Sequence, residues 1–341
     1  MSESLNDIAQ AMVASGKGIL AADESTGTIA KRLASIGMDS TESARRDYRE
    51  MLFSATEAMS NYVSGVILYD ETLRQNGADG TPLRDIIKAT GAIPGIKVDT
   101  GAKDLAGHAG EKVTEGLDGL RERLQEYYEL GARFAKWRGV ITIGDGMPSA
   151  ACIHANAHGL ARYAALCQEQ GIVPIVEPEV LMDNPGSTHD INTCASVTEN
   201  ALNAVFSELA EQGVALEGMV LKPNMVIAGK ECATQAAPQE VAERTVEVLR
   251  KCVPAEVPGI AFLSGGQSDV EATHHLSLIN QIGDLPWAVT YSYGRALQAA
   301  ALQAWGGKPE NVAAAQAAFA HRAQMNSLAA LGAWSEEREA A

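Results

Sequence analysis

The fold this chain predicts is an α/β barrel of eight repeated units, a TIM (β/α)8 barrel with a C-terminal tail extension. Three observations carry it. Short apolar runs alternate with longer helical patterns along the whole chain, as repeated βα units around a parallel sheet require. The runs number eight. Nearly every one is apolar where it begins and chemically loaded where it ends, the polarity expected when eight strand ends converge on one catalytic face.

Taken in order, the first run spans Lys17 to Asp23 and closes with Asp23. The second, Gly65 to Tyr69, is followed by Asp70. Ile93 to Asp99 ends with Lys97 and Asp99, and Ala132 to Trp137 holds Lys136 with Arg138 just beyond. Val173 to Glu177 runs into Pro178-Glu179, and Gly218 to Lys222 ends on a lysine. Gly259 to Leu263 leads to Ser264, and Trp287 to Tyr291 leads to Ser292 and then Arg295. Strand side chains alternate, so Lys136 shares a face with Arg138, Glu177 with Glu179, and Val220 with Lys222. Between the runs lie helical periods such as Leu117 to Leu130, with Leu117, Leu120, Leu124, Tyr127 and Tyr128 spaced by three or four. Length alone, 341 residues, suggests two domains. No linker or composition break divides the units, so the expectation is one domain over residues 1–341. The barrel covers about 15–305 and an alanine-rich extension about 306–341.

Composition removes whole classes of function. A net charge of −16 argues against sequence-independent nucleic-acid binding and against electrostatic attachment to a membrane, so an anionic ligand has to be held by a local cluster of cations. The five cysteines are widely spaced and form no CxxC, which indicates neither a disulfide framework nor a thiolate zinc site and fits a cytoplasmic protein. The start, Met1-Ser2-Glu3-Ser4-Leu5-Asn6-Asp7, lacks a basic region, and no apolar run reaches membrane length.

The most informative residue is Lys222, a cation at the end of the apolar Gly218-Met219-Val220-Leu221. Burying an ammonium is costly, and the usual escape is a depressed pKa. A neutral amine at a strand mouth condenses with a ketone or aldehyde to an iminium ion, which stabilises the carbanion of C–C bond cleavage. The plain alternative is a lysine that extends its head to water. Iminium chemistry also needs an acid and a base. Glu177, one strand earlier and near Lys136, is the candidate acid and base for the adduct. Glu179 either raises the pKa of one glutamate by like-charge repulsion or pairs with a neighbouring cation. Asp23, adjacent across the barrel seam to the eighth strand, is the candidate base for a substrate hydroxyl, with helix capping as the alternative.

Two loops look built for phosphate. Ser264-Gly265-Gly266-Gln267-Ser268 offers backbone N–H groups, and Ser268-Asp269-Val270-Glu271 reads as a capping box opening a helix. Ser292-Tyr293-Gly294-Arg295 again places a glycine and a cation at a helix start. A second anion site at the rim draws on Lys97, Arg138, Ser25 and Thr28, with Arg32 further along that helix, so the expected substrate is phosphorylated at both ends. His154 and His158 stand one helical turn apart but lack an adjacent catalytic glutamate, and no metal is expected.

These segments, from Gly18-Ile19-Leu20-Ala21-Ala22-Asp23-Glu24-Ser25 through Phe134-Ala135-Lys136-Trp137-Arg138, Val176-Glu177-Pro178-Glu179 and Leu221-Lys222-Pro223-Asn224-Met225 to Ser292-Tyr293-Gly294-Arg295, resemble those of class I fructose-bisphosphate aldolases. The resemblance implies reversible cleavage of fructose 1,6-bisphosphate to dihydroxyacetone phosphate and glyceraldehyde 3-phosphate, in glycolysis and gluconeogenesis, without cofactor or metal. It implies a Schiff base on Lys222, with Glu177 as acid and base, Lys136 assisting, and Asp23 handling the hydroxyl proton. It also implies one phosphate at Ser264, Gly265, Gly294 and Arg295, the other at Lys97, Ser25 and Thr28, and a homotetramer. The chain departs from the family pattern at Thr100 and Thr28, and in a tail that lacks the frequent terminal tyrosine. Two rivals stay open at this level: another lysine-dependent barrel aldolase or transaldolase, and a non-catalytic binder on an intact barrel.

Overall fold

The eight apolar runs all become barrel strands. The computed structural model describes residues 4–340, so Met1-Ser2-Glu3 of the chain start and the final Ala341 lie outside the described residues. Among the described residues there are ten strands: β1 Gly18–Ala22, β2 Val63–Leu68, β3 Ile93–Lys97, β4 Gly101–Asp104, β5 Lys112–Glu115, β6 Phe134–Ile141, β7 Val173–Val180, β8 Val220–Leu221, β9 Gly259–Phe262 and β10 Ala288–Tyr293. Eight of them close into a parallel barrel in the order β1-β2-β3-β6-β7-β8-β9-β10, with helices in the connections, and β4 and β5 form a separate antiparallel pair. The strands read as continuous apolar runs because both faces are covered; every residue of β1, β2 and β7 is buried.

Two apolar clusters result. One lies inside the barrel, where Phe134, Ile175, Val220 and Ala261 meet Ile8, Ala9 and Met12 of the helix Leu5–Met12. That helix is held at its start by a Ser4–Asp7 capping box and fills the end of the barrel opposite the loaded strand ends. The larger cluster lies between the strands and the outer helices. Phe134 shows how tightly the interior is filled: a Cβ on Gly95 would fall 2.2 Å from its ring, and one on Gly65 2.9 Å, so both strands need glycine there. Closure depends on the pairing of β1 with β10, Ile19 opposite Ser292 and Leu20 opposite Tyr293.

The boundaries differ from the sequence expectation in ways that matter for the site. β6 and β7 pair over eight positions, from Phe134–Val173 to Ile141–Val180, and so run beyond Trp137 and Glu177. Arg138, Glu177 and Glu179 therefore sit within strands, on a more rigid support than loops give. β8 has only two residues, and Lys222 follows it, with its amide N–H donating to Val176 O at 2.8 Å. The β4–β5 hairpin was not expected; it is short and polar, and carries no apolar run to announce it. The predicted helix Leu117 to Leu130 begins only at Leu120, because Gly119 adopts a left-handed φ of 64°. The C-terminal segment is not loose: the helix Val312–Ala330 packs on the helix Arg295–Trp305, burying Ala315, Phe319 and Ala323.

Candidate active site

The carboxyl ends of the barrel strands surround a cavity of about 350 Å³. Of the residues singled out from sequence, Asp23, Ser25, Thr28, Arg32, Lys97, Lys136, Arg138, Glu177, Glu179, Lys222, Ser264, Gly265, Ser292, Gly294 and Arg295 all line it. Gly266 does not. It turns the loop at a φ of 78°, over the side chain of Met182.

Four buried side chains of alternating charge run across the floor. Lys222 Nζ lies 3.2 Å from Glu177 Oε1; Lys136 Nζ lies 3.3 Å from Glu177 Oε2 and 2.8 Å from Asp23 Oδ2. The two ammonium groups are not equivalent. Burial lowers the pKa of Lys222, and the nearby Lys136 charge adds to that, so its ammonium gives up a proton more readily than an ordinary lysine despite Glu177 and Asp23. Burial acts against the charge of Lys136 too, but Asp23, Glu177 and Asp99 outweigh it and hold its pKa above the ordinary lysine value. Asp23 is driven the other way: burial opposes its ionisation, while Lys136 and Lys222 pull its pKa down to about 2. It pairs with Lys136 and caps no helix, because Ser25 occupies the N-cap of the helix Thr26–Ala34.

The expectation that like charges would push a glutamate toward neutrality is corrected. Burial raises the pKa of Glu177, but Lys136, Lys222 and Arg138 lower it further, so the resting group is a carboxylate. Glu179 is taken up by Arg138, whose Nε donates to its Oε2, and so does not act as a repelling neighbour.

The two glycine-bearing loops, at Ser264-Gly265 and at Gly294-Arg295, both line the cavity. A Cβ on Gly265 would stand 2.8 Å from Glu179 Oε1, so only glycine lets this backbone approach so closely. Ser268 and Glu271 form the expected capping box. Arg295 opens its helix and donates from Nη2 to Gln267 O at 3.2 Å, tying the two loops together. At the opposite rim Lys97 Nζ lies 3.2 Å from Asp99 Oδ1, and Ser25 Oγ lies 3.1 Å from Thr28 Oγ1, with Ser25 making no capping bond. Sequence position groups Arg32 with this rim, yet its Nη2 lies beside Gly294, 3.5 Å from where a Cβ would stand. Glu24 was not singled out, though it lines the cavity and pairs with Arg32. A second carboxylate directly after Asp23, with an arginine eight residues on, was the available signal.

His154 and His158 lie on the outer helix Ala150–Glu169, their Nδ1 atoms 3.1 and 2.9 Å from the carboxylate of Glu208. Among the described residues no helix is long and apolar enough to cross a membrane.

A (β/α)8 barrel with a desolvated lysine, two partner carboxylates and two glycine-bearing loops at the carboxyl ends of its strands defines a class of lysine-centred barrel enzymes. The profile of the glycolytic class I fructose-bisphosphate aldolases matches residues 4–341. A probable class 1 fructose-bisphosphate aldolase of Xanthomonas axonopodis pv. citri is 59% identical, covering 97% of this chain and 98% of its own. The cytosolic fructose-bisphosphate aldolase 6 of Arabidopsis thaliana is 56% identical over 94% and 88%. The aldolase of Plasmodium falciparum, solved with TRAP and a small-molecule inhibitor, superposes with a TM-score of 0.95 at 50% identity, covering 97% of this chain and 95% of that one. The chain belongs to the class I fructose-bisphosphate aldolase family, whose members are lyases (EC 4.1.2.13).

Proposed function

We propose that this chain cleaves fructose 1,6-bisphosphate reversibly into dihydroxyacetone phosphate and glyceraldehyde 3-phosphate, with Lys222 as the covalent catalyst. The observation that carries the assignment is the buried lysine of lowered pKa, 3.2 Å from Glu177 in the cavity. Glu177, a carboxylate at rest, takes the ammonium proton of Lys222 and frees the amine to attack the C2 carbonyl. The protonated Glu177 then gives its proton to the carbinolamine hydroxyl, which leaves as water, and an iminium ion remains. Asp23 removes the C4 hydroxyl proton; the C3–C4 bond breaks, its electron pair flows into the iminium to give an enamine, and the aldehyde departs. Protonation of the enamine and hydrolysis release dihydroxyacetone phosphate. Lys136, fixed as a cation between Asp23 and Glu177, stabilises both carboxylates as protons arrive and leave.

In this scheme the C1 phosphate lies at Ser264, Gly265, Ser292, Gly294 and Arg295, with Gly266 shaping the loop behind them. The C6 phosphate lies at Lys97, Ser25 and Thr28, with the Arg138–Glu179 pair alongside. The whole chain acts as one domain and assembles as a homotetramer, and it works in the cytoplasm, a reading that the cytosolic name of its Arabidopsis relative supports. Borohydride reduction with dihydroxyacetone phosphate, followed by peptide mass mapping, tests the assignment: the adduct is expected on Lys222, and recovery on Lys136 or Lys97 would overturn it.

Three further results are expected. The iminium ion is the electron sink, so activity survives exhaustive chelation; loss with chelator and recovery on adding zinc or cobalt would contradict the scheme. Arg295→Ala should weaken fructose 1,6-bisphosphate and fructose 1-phosphate alike, because it acts on the phosphate they share. Ser25→Ala with Thr28→Ala should penalise the bisphosphate by roughly ten- to a hundred-fold in kcat/KM and the monophosphate little. Equal losses on both substrates would show that the second phosphate is misplaced.

A further inference from the structure

Glu24 follows Asp23 in sequence but belongs to a different set of contacts. Its side chain is 4% exposed, and Oε1 accepts from Arg32 Nη1 and, at 3.1 Å, from Gln298 Nε2. Gln298 also donates to Ala21 O at 2.7 Å and accepts from Tyr48 OH at 3.0 Å. Arg49, still more deeply buried, donates to the Glu24 carbonyl at 2.9 Å and to Thr72 Oγ1 at 2.6 Å, and stands 3.7 Å from Glu24 Oε2. One carboxylate thus ties the end of β1 to the helices Thr26–Ala34, Glu42–Phe53 and Arg295–Trp305.

Glu24 and Arg32 both line the cavity, and Arg32 is the more exposed of the two. Its side chain is 23% exposed; Nη1 is held by Glu24, and Nη2 stands beside Gly294. A guanidinium is a planar fork, so fixing one nitrogen sets the direction of the other.

We propose that Glu24 is a positioning residue for phosphate recognition: it holds Arg32 so that the free half of the guanidinium faces the anion at the Gly294–Arg295 turn. This rests on the reading that the turn binds the C1 phosphate. A long side chain loses rotamer freedom when it clamps a ligand, and an anchor already in place removes that cost before the ligand arrives. Glu24 also acts the opposite way, since its charge offsets that of Arg32. The direction of change on removing it therefore decides which effect rules.

The test compares Glu24→Gln, Arg32→Lys and the double variant, reading kcat and KM for fructose 1-phosphate and Kd for inorganic phosphate. A lysine has no second nitrogen to serve both partners. Each single change is expected to raise KM and Kd about ten-fold with kcat within about two-fold, and the double variant to be no worse than Arg32→Lys alone. An unchanged or lower KM in Glu24→Gln, or penalties that add in the double variant, would overturn the inference. If Glu24→Gln does not fold, Glu24→Asp keeps the buried charge, withdraws it from Arg32 by one methylene, and carries the same expected rise. Arg295→Ala separates the levels: if it weakens phosphate while Arg32→Lys does not, the role of Glu24 fails alone; if neither does, the placement of the phosphate fails as well.

Discussion

Lys222→Arg is expected to lose roughly 10⁴- to 10⁶-fold in kcat, the scale on which removal of a covalent nucleophile acts. Arginine keeps a positive charge beside Glu177 but cannot form an imine, so charge and covalency are separated in one substitution. Lys222→Met is expected to be equally inactive and to melt no lower than the parent protein. The sign follows from the lowered pKa: the folded environment disfavours the ammonium, so a charged Lys222 costs stability below its unfolded pKa, and methionine removes that cost. Glu177 keeps Lys136 as a partner at 3.3 Å, so no carboxylate is stranded. The measurements are steady-state cleavage and thermal melting near pH 7. Arginine-variant activity within ten-fold of the parent would refute the covalent role, and a clearly lower Tm for the methionine variant would refute the view of Lys222 as a strained group.

Asp23→Asn should lower kcat by about 10²- to 10⁴-fold, the contribution of a placed general base, with a smaller change in KM. Imine formation should survive, because it belongs to Lys222 and Glu177, so borohydride still traps dihydroxyacetone phosphate on the variant. Cleavage and trapping thus come apart. The same residue predicts a pH effect on stability. Its folded pKa is depressed to about 2, so ionised Asp23 contributes stability that is fully present above about pH 4 and lost as pH falls through about 2. The shift corresponds to about 2 kcal/mol. The stability gap between parent and Asp23→Asn should therefore narrow over that window. A gap independent of pH, or trapping lost together with cleavage, would remove Asp23 from this role.

What the sequence made legible follows from what buries residues. The eight strands could be read because both faces of a parallel barrel are covered, which leaves uninterrupted apolar runs. Lys222 could be read for the same reason: a lone cation closing such a run is conspicuous. The hairpin Gly101–Glu115 gave no such signal, since its pairing is short, polar and half exposed. The resting state of Glu177 was also hidden. Spacing along one strand shows two glutamates on one face, whereas the cations that lower the pKa of Glu177, which are Lys136, Lys222 and Arg138, come from the neighbouring strands, and only the inter-strand register sets Arg138 opposite Glu177. That the guanidinium of Arg32 lies beside Gly294 was hidden too, because helical position fixes where a side chain starts and not where a long arginine ends. Glu24 passed unnoticed for a related reason: its partners Arg49 and Gln298 lie 25 and 274 residues away along the chain.

The seam between β1 and β10 also bears on how the chain is made. Asp23 emerges from the ribosome early, while the strand that flanks it and the loop bearing Gly294 and Arg295 emerge some 270 residues later. Until then β1 has an open edge, exposed along one side, and the stretch of cavity wall built by Ser292, Gly294 and Arg295 does not exist. The nascent chain must hold the earlier strands in a soluble, incomplete state, a period in which unpaired edges invite association with other chains. Catalytic competence should accordingly arrive all at once and late: chains ending before about residue 305 are expected to be inactive whatever helices they contain, and a ribosome stalled within β9 should carry Lys222 but no turnover.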